Sequence, residues 1–210
     1  IPCSPDGYLD TGKLEHTIKS NTVLIILNHA SNVTGTTLPI VEVGRIARKH
    51  NILFLLDAAQ TAGCFPIDIK RDNIDFLAFT GHKALFGPTG TGGLVIGERV
   101  NIDNLSPLKS GGTGSQSESE DQPVFLPDKY ESGTLNIAGL AGLKEGVRFI
   151  LKRGIHNIHQ YELAITQKLI SGLRGIPKVT VHGVANNTDR VAVVSFNIKD
   201  KSPSEVGLIL

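Results

Sequence analysis

Three groups of polar residues each follow a short apolar run, and their side chains are of types that can do chemistry. The groups are residues 28–35, 57–60 and 80–83. In an open parallel sheet, ligands bind outside the carboxyl ends of the strands. If the apolar runs are neighbouring strands, a carboxylate, an amide and an amine from these groups meet at one edge of the sheet.

The second and third groups match the chemical demands of pyridoxal phosphate. That cofactor needs an amine for a covalent linkage, a carboxylate that keeps its ring nitrogen protonated, and donors for its phosphate. Lys83 offers the amine and Asp57 the carboxylate. Thr80 and His82 offer the phosphate donors, and the amide of Gln60 could hydrogen-bond the phenolic oxygen of the ring.

Asp57 directly follows the apolar run 53–56, so we expect its carboxylate to be partly desolvated. Such a group needs a cationic partner or strong hydrogen bonds, and the cofactor ring would supply the partner. Simpler roles stay open. Asp57 could cap a helix, Lys83 could be a solvated surface residue, and Asn32 could stabilise a turn.

Four motifs occur in the order and approximate spacing of the class V aminotransferase superfamily. They are His-Ala-Ser-Asn-Val-Thr-Gly at 29–35, Asp-Ala-Ala-Gln-Thr-Ala-Gly at 57–63, Thr-Gly-His-Lys at 80–83 followed by Gly-Pro-Thr-Gly-Thr-Gly at 87–92, and Glu-Ser-Gly-Thr at 131–134. Within that superfamily the chain most resembles the cysteine desulfurase and selenocysteine lyase group. The resemblance covers nearly the whole chain and implies pyridoxal phosphate as the cofactor.

The resemblance also implies a role for each candidate residue at the cofactor. Lys83 would carry the cofactor covalently and later move protons, and Asp57 would pair with the ring nitrogen. Gln60 would contact the phenolic oxygen. Thr80 and His82 would bind the phosphate.

Two further residues extend the implied site beyond one cofactor. The residue matching Asn32 would help orient the substrate near the ring, and the one matching Thr134 would reach the phosphate of the neighbouring subunit's cofactor. A homodimer is therefore implied. The implied reaction takes sulfur from L-cysteine to give alanine and an enzyme persulfide, which could pass its sulfur to an acceptor protein.

Other activities of the same superfamily stay open, namely a selenocysteine lyase, an aminotransferase or another lyase. A non-catalytic fragment or paralogue that only dimerises or binds partners is also open. The family's amino-terminal portion, catalytic cysteine and carboxylate-binding arginine have no counterpart here, and Cys64 does not match the sulfur acceptor. We therefore expect a central part of a longer protein, inactive by itself, in which Cys64 is structural.

Charge indicates no macromolecular partner. The 21 Lys and Arg residues and the 20 Asp and Glu residues give a formal net charge of +1, and no basic stripe favours a nucleic acid or an anionic membrane. The longest apolar runs are far shorter than the roughly 20 residues that span a bilayer. Because two cysteines make no disulfide framework, we expect a cytoplasmic protein.

Apolar patterns predict an α/β unit first. Four buried strands are predicted at 23–27, 52–56, 76–79 and 94–96, and a helix over 38–50 would connect the first two as a parallel crossover. The resemblance places these strands in fold type I, the three-layer fold with a seven-stranded, mostly parallel sheet. They would form a contiguous block whose last strand is antiparallel, in a large domain over residues 1–153.

A smaller α+β domain is predicted over residues 154–210. Helices over 136–153 and 155–173 flank Gly154, strands follow at 179–181 and 191–196, and a last helix starts near Ser202. Residues 109–128 are rich in Gly, Ser, Glu and Pro and predict a long loop.

Spacing disfavours two other kinds of site. The glycine-rich stretch 87–93 lacks the Lys that a Walker loop places after its last glycine, and it lacks the dinucleotide fingerprint, so it indicates a tight turn. His156 and His159 could share a helix face, but no further ligand accompanies them. No metal site is predicted.

Overall fold

The computed structural model describes residues 1–184 and 190–210. Its helices are α1 Thr11–Thr17, α2 Ile40–Lys49, α3 Ile137–Arg153, α4 Ile155–Arg174 and α5 Pro203–Ile209. Its strands are β1 Leu24–Asn28, β2 Leu53–Asp57, β3 Phe76–Thr80, β4 Gly92–Ile96, β5 Val179–His182 and β6 Ser195–Ile198. Within these described ranges, no helix is long and apolar enough to cross a membrane.

The first four strands form one sheet in the order β1-β2-β3-β4. β1, β2 and β3 run parallel, and β4 pairs antiparallel with β3. The predicted contiguous block with an antiparallel last strand is therefore confirmed. The register places Asn28 beside Asp57 and Asp57 beside Ala78, so the three parallel strands reach the same edge of the sheet.

Helix α2 is the predicted crossover between β1 and β2. Its apolar residues recur at intervals of three and four and bury one face in the main core, where Val43, Ile46 and Ala47 are almost inaccessible. Arg48 and Lys49 lie in its last turn, where positive charge complements the helix dipole. The amphipathic pattern thus fixes α2 against the sheet.

Helix α1 is an element that the sequence patterns did not predict. The side chain of Asp10 caps it by accepting a hydrogen bond from the backbone N–H of Lys13 at 3.0 Å. Glu15 accepts hydrogen bonds from Lys49 at 2.7 Å and from His50 at 2.8 Å, which joins α1 to the end of α2. With seven residues, α1 is too short to show a clear apolar period.

Gly154 separates α3 from α4. It has a φ of 85°, which disfavours any residue with a Cβ, and its N–H donates to the carbonyl of Ile150 at 2.8 Å. α4 then packs against β5, which pairs antiparallel with β6. The division of the chain into two domains at this glycine stays a prediction.

The predicted strand over 191–196 is wrong in its first half. β6 begins only at Ser195. Val191 is buried because it packs against Ala30 and Cys64, not because it pairs in a sheet. The alternation of apolar residues over 191–194 therefore reflects burial against a part of the chain that is distant in sequence, not a strand.

The long loop predicted over 109–128 is confirmed, since the described structure has no helix or strand there. Side chains just beyond it hold the chain in place. Lys129 Nζ donates to the carbonyl of Ile102 at 2.6 Å, and the Tyr130 hydroxyl donates to the carbonyl of Leu105 at 3.1 Å.

Gly44 provides a test of the packing of α2. A Cβ at this position would lie 2.0 Å from the backbone carbonyl oxygen of Asp72, which cannot swing away as a side chain can. Gly44→Ala should lower the free energy of unfolding by about 1–3 kcal/mol, although Ala favours helix over Gly by about 1 kcal/mol. Urea unfolding measures the change.

The matched control is Gly172→Ala in α4, where a Cβ meets no atom within 4 Å. The free energy of unfolding should rise there by up to about 1 kcal/mol. Equal effects of the two substitutions would contradict the packing described for α2.

Candidate active site

The sheet brings the three predicted groups of polar residues to its carboxyl edge. Asn28, Asp57 and Ala78 are register partners on β1, β2 and β3, and Thr80 ends β3 two residues further on. Neighbouring strands lie about 4.8 Å apart, so the ends of β1 and β3 are within about 10 Å of each other.

Asp57 is exposed, and the expectation that it would be partly desolvated is wrong. One carboxylate oxygen accepts a hydrogen bond from the backbone N–H of Ala59 at 2.8 Å. That contact closes a turn, and Asp57 caps no helix. The carboxylate lies at the very end of β2, where the apolar face of the sheet no longer covers it.

Lys83 is exposed on a loop whose two ends belong to the sheet. The N–H of Gly81 donates to the carbonyl of Thr91 at 2.8 Å, and the N–H of Gly87 donates to the carbonyl of Gly81 at 2.8 Å. Within this loop Phe86 has a φ of 56°, a left-handed conformation that bulky residues rarely adopt. The closed loop therefore fixes the backbone that carries the amine.

Two glycines let neighbouring segments approach the Lys83 loop closely. A Cβ on Gly63, which has a φ of 103°, would lie 2.3 Å from the carbonyl oxygen of Ala84. A Cβ on Gly146 of α3 would lie 2.3 Å from the carbonyl oxygen of Leu85. The turn after β2 and helix α3 thus hold the loop between them.

A small apolar cluster, called the Ala30 cluster below, joins the segments that follow β1, β2 and β3. Its buried members are Ala30, Cys64 and Val191, with Phe65, Ala84 and Val193 packed against them. Ala84 adjoins Lys83 in sequence. Burial of these side chains places the three polar groups relative to one another.

Thr80 and His82 form a hydrogen-bonded pair, with 2.7 Å between Thr80 Oγ1 and His82 Nδ1. If the hydroxyl donates, the outer imidazole nitrogen of neutral His82 carries a proton. If the imidazole donates, the proton of the hydroxyl is free. In both arrangements the pair keeps one outward donor, which suits an anion.

The three remaining predicted residues lie on turns and loops outside the strands and helices. Gln60 is half-buried in the turn after Asp57, and Asn32 is exposed on the loop after β1. Thr134 is exposed on the segment that leads into α3. Among the described residues, no hydrogen bond joins Thr134 to the other predicted residues.

His29 is a buried residue to which sequence analysis assigned no role. Its Nδ1 lies 2.9 Å from the Thr61 hydroxyl, and its ring packs edge-on against Phe65 at 5.6 Å between centroids. Its backbone N–H donates to the carbonyl of Asp57 at 2.8 Å. His29 thus links the segments after β1 and β2, and its place directly after an apolar strand is the only local signal.

The exposed donors fit pyridoxal phosphate by their chemistry. Neither Lys83 nor Asp57 takes part in an ion pair within residues 1–184 and 190–210, so an amine and a carboxylate are available to one ligand. The Thr80 and His82 pair adds a hydrogen-bond donor for an anion such as the phosphate. In the same described ranges, no group of three His, Cys, Asp or Glu residues could hold a metal ion.

Comparison with known families decides the relationship. The family model for class V aminotransferases matches residues 1–210. The chain belongs to this family. The family depends on pyridoxal phosphate, and the structure is that of the fold type I transferases.

Individual members of the class V family narrow the relationship further. The chain is 36% identical over its whole length to a probable cysteine desulfurase of Methanothermobacter thermautotrophicus, of which it covers 52%. It is 34% identical to a cysteine desulfurase of Escherichia coli O157:H7, of which it covers 51%. The chain thus spans about half the length of these relatives.

A solved structure of the same group shows the same fold. The apo structure of a cysteine desulfurase from Thermococcus onnurineus NA1 superposes with a TM-score of 0.88 at 35% identity. The match covers 100% of this chain and 52% of that one.

Burial lowers the pKa of His29 to about 4 from the ordinary value of 6.5, although the negative charge of Asp72 opposes the shift. In the unfolded chain this histidine binds a proton at a higher pH than in the folded one. Stability is therefore fully present above about pH 6.5 and falls by about 3 kcal/mol as the pH drops to about 4.

His29→Gln should remove this part of the acid-side slope in urea unfolding measured between pH 6.5 and 4. Histidine NMR signals should show His29 neutral at pH 5. A His29 ring that is protonated at pH 5.5 would contradict the burial described.

Burial, aided by the negative charge of Glu162, raises the pKa of Cys64 to about 12. Because the thiolate is the reactive form, Cys64 should resist iodoacetamide at pH 8 in the folded protein. Cys3 is exposed and should react. Peptide mass mapping distinguishes the two, and modification of both at equal rates would contradict this assignment.

Proposed function

We propose that this chain is the cofactor-binding part of a cysteine desulfurase, an enzyme that takes sulfur from L-cysteine and leaves alanine. The main support is that Asp57 ends β2 and Lys83 lies on the closed loop after the neighbouring parallel strand β3, in a chain similar to cysteine desulfurases along its whole length. No described contact favours a selenocysteine lyase, an aminotransferase or a non-catalytic paralogue over this activity.

Each residue of the edge would hold one part of pyridoxal phosphate. Lys83 Nζ would form the covalent linkage, and the Asp57 carboxylate would keep the ring nitrogen protonated. Gln60 would hydrogen-bond the phenolic oxygen. The outward donor of the Thr80 and His82 pair would bind the phosphate, which agrees with the 2.7 Å contact between the two side chains.

When bound, pyridoxal phosphate supplies an electron sink for the bond that is cleaved. The protein must then place a base near the substrate. Lys83 Nζ would be the group that takes and returns a proton, and no acidic side chain of the described residues pairs with it.

The sulfur would be accepted as a persulfide by a cysteine other than Cys64. Burial keeps Cys64 in the thiol form, and its Sγ lies 3.5 Å from the carbonyls of Gln60 and Thr61. We propose that Asn32 orients the substrate and that Thr134 reaches the cofactor phosphate of a second subunit. A homodimer and a sulfur-acceptor protein complete the proposal.

The cellular location and the domain division of this protein stay predictions. They are the cytoplasmic location and the division into a large domain over 1–153 and a small domain over 154–210. The activity proposed does not depend on either.

Borohydride trapping tests Lys83. The full-length protein is incubated with pyridoxal phosphate, reduced and digested, and the peptide with Lys83 should carry the cofactor mass. Lys83→Ala should lose this label. The rate at which it forms alanine from L-cysteine should fall by a factor of at least about 1,000, because the substitution removes both the linkage and the base.

Lys144→Ala is the control, because Lys144 is an exposed lysine on α3 that should keep both label and activity. A label that persists in Lys83→Ala would disprove the cofactor assignment. A label on Lys83 without alanine formation would keep the cofactor site and reject the desulfurase reaction.

A further inference from the structure

The loop that carries Asn32 is held from outside by residues 190–195 of the C-terminal part. The Ser195 hydroxyl donates to the carbonyl of Val33 at 2.5 Å. The N–H of Val191 donates to the carbonyl of Gly35 at 2.8 Å. Segments more than 150 residues apart in sequence therefore share hydrogen bonds on both sides of the turn.

The Asn32 loop also packs tightly against the C-terminal part, at Gly35 of the loop and at Gly183 before residues 190–195. Gly35 has a φ of 75°, and a Cβ on it would lie 2.5 Å from the carbonyl oxygen of Val193. Gly183 has a φ of 88°, and a Cβ on it would lie 2.3 Å from the carbonyl oxygen of Thr34. Backbone thus meets backbone directly, with no side chain between that could yield.

Arg190 fixes the shape of the outer segment. It is fully buried, and its guanidinium donates to the carbonyl of Val184 at 3.0 Å and to that of Val193 at 2.6 Å. Hydrogen bonds from a charged donor are the stronger kind. Because Arg190 also pairs with Thr36 in an isolated antiparallel bridge, the segment is anchored on the loop itself.

Inside the loop, hydrogen bonds set its local shape. The Ser31 hydroxyl accepts from the N–H of Val33 at 3.2 Å and from that of Thr34 at 3.1 Å. Asn32 lies exposed between these anchors, and its side chain makes no hydrogen bond to any described residue. The position of its amide therefore depends on the backbone, which residues 190–195 help to hold on the side of Val33 and Gly35.

We propose that residues 190–195 position Asn32 toward the substrate, with Ser195 as a positioning residue that holds the carbonyl next to Asn32. This inference rests on the proposed function, in which Asn32 orients L-cysteine. Loss of the Ser195 hydroxyl frees the Val33 carbonyl and loosens the loop on one side, while Val191 still holds the other.

Ser195→Ala in the full-length protein should raise KM for L-cysteine about 3- to 10-fold, the effect expected for one hydrogen bond. kcat and the affinity for pyridoxal phosphate should stay within about twofold, because Ser195 contacts no residue assigned to the cofactor. Ser195→Thr keeps the hydroxyl and should restore KM.

Ser202→Ala is the matched control. Ser202 lies in the same C-terminal part and caps α5 by accepting from the N–H of Glu205 at 3.2 Å, with no contact to the Asn32 loop. KM for L-cysteine should not change. A rise in KM equal to that of Ser195→Ala would overturn the proposal, because it would show a general effect of loosening this part of the protein.

Hydrogen–deuterium exchange separates this inference from the proposed function, since it needs no substrate. Peptides covering residues 31–37 should exchange faster in Ser195→Ala and at the wild-type rate in Ser202→Ala and Ser195→Thr. Unchanged exchange in Ser195→Ala would overturn the inference. Faster exchange in a protein that does not act on L-cysteine would overturn the substrate assignment and leave the contact established.

Discussion

Burial of a few small apolar side chains is the constraint on which the candidate site depends. The Ala30 cluster draws together the segments that follow three strands and adds Val191 from far along the chain. Polar residues at the end of a sheet have no fixed place of their own, since water can satisfy each of them. Removing apolar surface from water is favourable only when these segments lie side by side. The geometry of the candidate site is therefore a consequence of the packing beneath it.

Groups in and above this cluster differ in chemical character because they differ in contact with water. Asp57 and Lys83 are exposed, and neither takes part in an ion pair with another described residue. His29 and Cys64 are buried and are held in their neutral forms by burial, with pKa values of about 4 and about 12. Two residue types that often do chemistry are thus structural in this chain, and sequence alone does not distinguish them from reactive ones.

Sequence patterns predicted the parts of the fold that rest on local chemistry. The four strands and the amphipathic crossover helix α2 follow from apolar spacing and from the preference for parallel crossovers, whereas the order of the sheet came from the resemblance to the family. Helix α1 was missed because seven residues show no period, and Val191 was placed in a strand because alternation does not reveal what a side chain packs against. The exposure of Asp57 was missed for a similar reason, since burial at a strand end depends on what lies beyond it.

The antiparallel pairing of β4 with β3 limits how far the Lys83 amine can move. The chain reverses direction between Thr80 and Gly92, which are register partners. Residues 81–91 therefore form a loop whose two ends are both fixed in the sheet. A loop fixed at both ends cannot move as a rigid unit. Any displacement of Lys83 Nζ must then come from rotation about the bonds of its own four-carbon stem. If Lys83 acts as proposed, the length of this one side chain sets the radius within which it can transfer protons.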